Sequence, residues 1–408
     1  MSGRFAAFKH SSYQRYFGAR FCAAFAAQIL SVAVAWQMYD ETGSAALLGW
    51  IGLVQFLPAL CLVLVTGLAA DRLGRRLVMG CSILVEMSCA AVVLYMAATR
   101  NFDPFLVLAT LTVFGCARAF LAPASSSLAV NLVPKEDFAN AAGFSALSWQ
   151  TASIVGPVAG GLLYGVSGPA AYTASTVLFA IAGVLIFSIP KPRQLQDTRP
   201  TSVRTLLGGF AYIWKEKVVL GAISLDLFAV LLGGAIALLP IYARDILELG
   251  AGGLGLLRAA PGIGAVIMIA LITSFPIKDH AGIILFVSVA LFGLVTAIFG
   301  ASTLAWLSIA ALILVGAFDM VSVYVREILL QLWTPDEVRG RVNAVNSIFL
   351  GASNELDEAR AGFMAALLGP VITVVGGGLA AIGIAAGWAV LFPQIRKTRY
   401  LHPPEREE

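Results

Sequence analysis

The chain has 408 residues, of which 59% are apolar or aromatic and only 12% charged, with a formal net charge of +4. Soluble chains carry about a quarter charged residues, so too few polar groups are present to clothe a soluble fold of this length, and a soluble enzyme is excluded. The basic excess lies in short loops between apolar stretches and forms no stripe on a polar domain, which excludes a nucleic-acid partner and makes the charges a report on topology.

Twelve successive stretches are long and apolar enough to cross roughly 30 Å of hydrocarbon as helices. They cover residues 17–38, 47–70, 77–98, 104–128, 139–165 and 168–189, then 218–243, 252–275, 281–300, 304–330, 339–366 and 370–392. The basic first sixteen residues followed by Ala33-Val34-Ala35 have the outline of a secretory signal. The apolar stretch is too long for an h-region and the count of twelve requires it, so it is expected to be retained. Cys22, Cys61, Cys81, Cys89 and Cys116 lie in or at the ends of these stretches without CxxC spacing, as small packing residues. His10, His280 and His402 fall in tails and a loop, so neither a metal centre nor any other cofactor site is expected.

With even-numbered connections on one side, that side holds Arg4, Lys9, Arg15, Arg72, Arg75, Arg76, Lys135, Lys191, Arg193, Arg199, Arg204, Lys215, Lys217, Lys278, Arg339, Arg341, Arg396, Lys397, Arg399 and Arg406. The other side holds only Arg100 and Arg244. This asymmetry places both termini on the cytoplasmic side of the membrane. Trp50, Trp306 and Trp388 read as interface or packing groups rather than ligand clamps.

Residues 190–217 form the longest polar interruption, marked by Pro190, Pro192 and Pro200, and residues 203–214 have the pattern of a short amphipathic helix. The expected division is an N-terminal six-helix half over 1–189, a cytoplasmic linker over 190–217, a C-terminal six-helix half over 218–392 and a tail over 393–408. An offset of 201 residues aligns Gly115 with Gly316, Arg118 with Asp319, Pro134 with Pro335 and Gly161 with Gly362, the pattern of a parallel internal repeat. Thr334-Pro335-Asp336-Glu337 predicts a helix start with a capping hydroxyl, a proline at the first helical position and a glutamate at the third.

Between the second and third spans stands Gly67-Leu68-Ala69-Ala70-Asp71-Arg72-Leu73-Gly74-Arg75-Arg76, where glycines permit a tight turn and one acid and three arginines can meet helix termini. In the fifth span, Gly156-Pro157-Val158-Ala159-Gly160-Gly161 permits bending and close helix packing. The loop string resembles the signature of the major facilitator superfamily, and the fifth-span string resembles that family's antiporter motif. Residues 334–354 resemble its bacterial drug and siderophore efflux branch, which includes enterobactin exporters. The resemblance implies that Gly67, Asp71, Arg72, Gly74, Arg75 and Arg76 form a cytoplasmic gating lock, that Gly156, Pro157, Gly160 and Gly161 bend and pack a helix for antiport, and that Arg118 matches an arginine often found in the fourth span. There are departures. Residues 275–280 copy the loop signature poorly, and Ala26-Ala27-Gln28 stands where relatives often have a glycine followed by an acidic or polar residue. Asp357-Glu358-Ala359-Arg360 make the eleventh span unusually charged for this branch.

Ionised side chains cost several kcal/mol in hydrocarbon, so those within spans should face a cavity or one another. The candidates are Glu86, Arg118, Asp226, Arg258, Asp319, Arg326, Glu327, Glu355, Asp357, Glu358 and Arg360. Arg326 and Glu327 are expected to snorkel at the cytoplasmic end of their span, Arg258 likewise near the opposite surface, and Glu86 to be structural. Asp226 and Asp319 lie deeper. They are the leading proton-coupling candidates, with Arg118, Glu355 and Asp357 as further coupling or substrate-cavity candidates, and the alternative for each is a fixed pair that merely holds helices together. Gly250-Ala251-Gly252-Gly253-Leu254-Gly255 fits the dinucleotide spacing G-x-G-x-x-G, but no strand precedes it, and a glycine-rich turn accounts for it.

The expected fold is therefore all-α, a polytopic membrane protein with twelve transmembrane helices in two six-helix halves. The expected function is secondary export of an amphipathic small molecule, drug-like or siderophore, exchanged for protons by a monomer in the lipid bilayer. No P-loop is present for an ATP-driven pump. Import or uncoupled facilitation, and a non-transporting receptor or scaffold, are the alternatives.

Overall fold

The computed structural model describes residues 5–191, 210–277 and 279–398. Residues 192–209 of the expected linker and 399–408 of the expected tail lie outside the described residues, and of the stretch 203–214 only 210–214 is described, as helix. Twelve long helices follow one another: α1 Ser11–Thr42, α2 Ala45–Leu73, α3 Arg75–Thr99, α4 Pro104–Val130, α5 Phe138–Val166, α6 Gly168–Phe187, α7 Lys217–Gly233, α8 Gly250–Ser274, α9 Ala281–Ala301, α10 Ala305–Trp333, α11 Asp336–Leu368 and α12 Pro370–Leu391. Ten membrane-crossing segments are recognised by length and apolarity alone, one of them running from α7 on to Ile246. The other two helices, α5 and α11, have 29 and 33 residues and are long enough to span. The chain is a twelve-helix polytopic membrane protein.

Local chemistry sets most of the boundaries. Gly43 ends α1 in the left-handed region (φ 60°) with its N–H bonded to the Tyr39 carbonyl at 2.8 Å, and Ser44 caps α2 by accepting from the Leu47 N–H. Asp103 accepts from the N–H groups of Phe105 and Leu106 ahead of Pro104 at the first position of α4. At Thr334 the expectation fails in part. The helix α11 starts at Asp336, one residue late, and the buried Thr334 hydroxyl has no hydrogen-bond partner; the Thr334 carbonyl instead accepts from Arg339 at 3.1 Å.

The chain divides into two compact units, one of residues 1–200 with Leu249–Ala259, the other of residues 201–248 with 260–408. In the first, α1 packs on α5 and α6, α2 on α4, and α3 on α4 and α6. In the second, α7 packs on α11 and α12, and α9 on α10 and α12. Four of the five pairings of the first unit have their counterpart in the second. Buried hydroxyls are spent on backbone carbonyls, as from Tyr16 to Ser125 at 2.9 Å, Ser175 to Ala26 at 2.9 Å and Tyr242 to Gly300 at 2.7 Å.

Gly115 and Gly316, aligned by the 201-residue offset, do the same job in their units. A Cβ at Gly115 would fall 2.6 Å from the Gln55 carbonyl oxygen of α2, and one at Gly316 would collide with the Pro261 carbonyl of α8. Each lets the fourth helix of its unit touch the backbone of the second. Gly115→Val or Gly316→Val is expected to cost about 1–3 kcal/mol by overpacking and to lower the melting temperature of the detergent-purified protein. Gly143→Ala, at a site with nothing within 4 Å, should leave it unchanged.

Candidate functional site

The loop signature joins α2 to α3 through Gly74, whose φ of 99° a side chain would strain. Arg75 donates to the Ser127 carbonyl at 3.1 Å and to Asn131 Oδ1 at 3.4 Å, at the end of α4. Arg76 donates to the Phe187 carbonyl at 2.6 Å, the last residue of α6. Two arginines thus satisfy orphan carbonyls at two helix C-termini, where the helix dipole also favours positive charge. Arg72 is exposed. Gly67 and Asp71 lie in α2; the Asp71 side chain lies outside the described residues.

The small residues of α5 serve close packing within the first unit. A Cβ at Gly156 would fall 2.6 Å from Gln28 Cβ of α1, and one at Gly160 would fall 3.0 Å from Ile29 Cα. On another side, Gly161 abuts the Ala251 carbonyl, and a Cβ at Gly255 would fall 2.5 Å from the Pro157 carbonyl. Gly250 opens α8 with φ 67°, so the glycine-rich run is a helix start and the head of a packing face. Arg258 Nη1 donates to Ser31 Oγ of α1 at 2.7 Å.

Most intramembrane charges collect in the second unit. Asp226 of α7 is 7% exposed and Arg326 of α10 is 1% exposed, and the two form a buried ion pair. The snorkelling expected of Arg326 is therefore wrong: its charge is held in the protein by a carboxylate that the sequence shows a hundred residues away. Arg326 Nε remains buried without a hydrogen-bond partner. Glu327, next in sequence and half-buried, accepts from Asn346 Nδ2 of α11 at 3.2 Å. Asp319, one to two turns earlier on α10, is half-buried and has no hydrogen bond or ion pair among the described residues.

Farther along α11, Asp357 (5% exposed) accepts from Arg360 Nη2 at 2.7 Å, and Arg360 Nε donates to the Leu231 carbonyl of α7 at 2.7 Å. Glu355 is half-buried on the same helix. In the first unit, Arg118 of α4 is exposed, while Glu86 of α3 is 2% exposed with Oε2 unbonded, and the two interact electrostatically. Trp388 packs as expected, on Phe228 and Phe392, with its ring N–H on Ser224 at 2.9 Å; Trp50 and Trp306 are exposed.

The structure thus brings Asp226 to Arg326 and Asp357 to Arg360, and leaves Asp319 apart. Arg326 is the site residue that sequence reasoning placed wrongly. Its signal was faint: a second ionised residue inside an apolar helix, which needs a partner of opposite sign somewhere in the same bundle.

Twelve membrane helices in two units of similar packing, with most of the buried charges along the helices of one unit, have the form of a polytopic membrane transporter. The chain belongs to the Major Facilitator Superfamily, whose sequence profile matches residues 16–352. It is 29% identical over 230 residues to macrolide efflux protein A of Streptococcus pyogenes, a match that covers 53% of this chain and only 55% of that protein. It is 25% identical over 408 residues to the enterobactin exporter EntS of Escherichia coli, covering 97% of this chain and 95% of the relative. Among solved structures, a POT family transporter in complex with 5-aminolevulinic acid superposes with a TM-score of 0.74 at 12% identity, covering 97% of this chain and 98% of that one. At that identity the likeness concerns the fold alone. The family consists of transporters rather than enzymes, and these sequence relatives are efflux proteins.

Truncating one member of the Asp226–Arg326 pair leaves a buried charge uncompensated. Arg326→Met is expected to cost about 3–5 kcal/mol, and Asp226→Leu combined with Arg326→Met to recover most of it. Thermal unfolding of the purified single and double variants checks this.

Proposed function

We propose that the protein exports an amphipathic small molecule, drug-like or a siderophore, in exchange for protons by alternating access. The observation that carries the proton step is Asp319. It is a carboxyl inside a membrane helix, half-buried, without hydrogen bond or ion pair among the described residues. As an anion such a group pays for its charge without a local partner, whereas the protonated form pays far less. A proton arriving from the outside would neutralise it, departure to the inside would restore the charge, and the two charge states would favour different conformations. Asp226 follows as a second carrier, its proton competing with Arg326 for the carboxylate, and Arg118, Glu355 and Asp357 stand as further coupling or substrate-contact groups. One proton crossing 100 mV supplies about 2.3 kcal/mol, enough for a substrate gradient of about fiftyfold.

The export direction and substrate class are supported by the efflux relatives, named for a macrolide and for enterobactin. In this reading the halves are residues 1–189 and 218–392, joined by a cytoplasmic linker and followed by a cytoplasmic tail. The loop Gly67 to Arg76 locks the cytoplasmic face, Gly156, Pro157, Gly160 and Gly161 bend and seal α5, and a monomer in the inner membrane suffices.

The test is efflux from pump-deficient bacterial cells of a panel comprising a macrolide, enterobactin and fluorescent organic cations. Parent and Asp319→Asn are compared at matched membrane levels, with and without a protonophore. Export of at least one compound that stops with the protonophore and falls about tenfold or more in the variant is expected. Protonophore-insensitive movement would replace exchange by facilitation, and undiminished, gradient-driven export by the variant would remove Asp319 from the proton path.

A further inference from the structure

The helix α7 does not run through. It leaves helical geometry at Gly234 (φ −70°, ψ 150°) and Ala235 (φ −129°, ψ −4°), and resumes as a 3-10 turn Ile236–Leu238, a short helical turn Leu239–Ile241 and a π turn Tyr242–Ile246. A break at this depth strands backbone carbonyls where no water can bond to them. In a continuous helix the Leu231 carbonyl would accept from the Ala235 N–H. Here it accepts from Arg360 Nε at 2.7 Å instead, and the N–H of the buried Ala235 makes no hydrogen bond among the described residues.

The remaining geometry fits Arg360 to this place. Its Nη2 donates to Asp357 Oδ1 at 2.7 Å, one turn back on α11, so the guanidinium plane is held by a carboxylate at one edge and a helix terminus at another. Gly234 makes the approach possible, because a Cβ there would collide with the Asp357 carboxylate. At the 201-residue offset Asp357 corresponds to Gly156 and Arg360 to Ala159, while Gly234 corresponds to Ala33 in the middle of the unbroken α1. The half with an apolar α5 has a continuous first helix, and the half with the charged pair has a broken one.

We propose that Arg360, oriented by Asp357, is a positioning residue that holds α7 broken at Gly234-Ala235 by competing with the Ala235 N–H for the Leu231 carbonyl. With the clasp closed, α7 ends at Gly233; with it open, the helix extends through the break and carries residues 236–246 to a new direction. This segment is the moving part of the second unit. The inference rests on the transporter reading, to which it adds the element that moves, and its test needs no substrate.

The measurement is hydrogen exchange, read by mass spectrometry, of peptides spanning residues 231–239 in the full-length protein in lipid nanodiscs. Arg360→Met removes the competitor, so the Ala235 and Ile236 amides should enter the helix and exchange about tenfold more slowly, with α9 and α12 unchanged. Asp357→Ala should act in the same direction. Arg360→Lys, which retains a charged donor for the carbonyl, should stay within about threefold of the parent and guards against loss of folding in the other variants. Unchanged or faster exchange at these amides in Arg360→Met, or an equal change across α9 and α12, would overturn the proposal. Loss of export with unchanged exchange would count against the clasp without touching the transporter assignment.

Discussion

Hydrocarbon offers no hydrogen bonds, and most features of this chain follow from that constraint. Each backbone polar group must be satisfied by its own helix, by a neighbouring side chain or by a terminus that reaches water. The long helices answer the first demand. The arginines answer the second at the places where helices stop: Arg75 and Arg76 at the ends of α4 and α6, Arg360 at the break of α7. These three are basic groups on carbonyl-rich helix ends, where the dipole adds to the hydrogen bond. A cation in these positions is cheaper than its burial alone would suggest.

The same constraint separates the intramembrane charges into two kinds. Asp226 with Arg326, and Asp357 with Arg360, are neutral as pairs, so their cost is mainly the desolvation of two groups that then bond to each other. The first joins α7 to α10 and the second lies within α11, and both resist change, since separating them leaves two buried ions. Asp319 has no such partner among the described residues. Its charge is therefore the least fixed by an opposite charge among these three carboxylates.

Much of the fold was legible because membrane helices are written in unbroken apolar runs. The repeat was legible too: Gly115 and Gly316 align in sequence and prove to make the same close approach between helices. What could not be read was pairing across distance. Nothing local tells that Arg326 turns inward to Asp226 rather than outward along its helix, since a snorkelling arginine and a paired one have the same sequence neighbours. Likewise the apolar run 218–243 gives no sign of the break at Gly234, because the residues that make it tolerable, Asp357 and Arg360, are more than a hundred positions away. Thr334 shows the reverse error. Its capping pattern is sound locally, but the hydroxyl is buried by its surroundings and left unbonded.

The two units share a packing plan yet have been loaded differently. The first has spent its specialised positions on small residues: Gly156 and Gly160 bring α5 against α1, and Gly161 brings it against the start of α8. Contacts of this kind are made or lost by sliding and cost little to re-form, because they rest on van der Waals fit rather than on charge. The second unit has placed acids and arginines on its helices, where rearrangement changes electrostatic energy. The repeat thus carries small packing residues in one half and buried ion pairs in the other. The replacement of Gly156 and Ala159 by Asp357 and Arg360 at the equivalent turn of α11 is the plainest trace of that division, because the same turn packs a continuous helix in one half and clasps a broken one in the other.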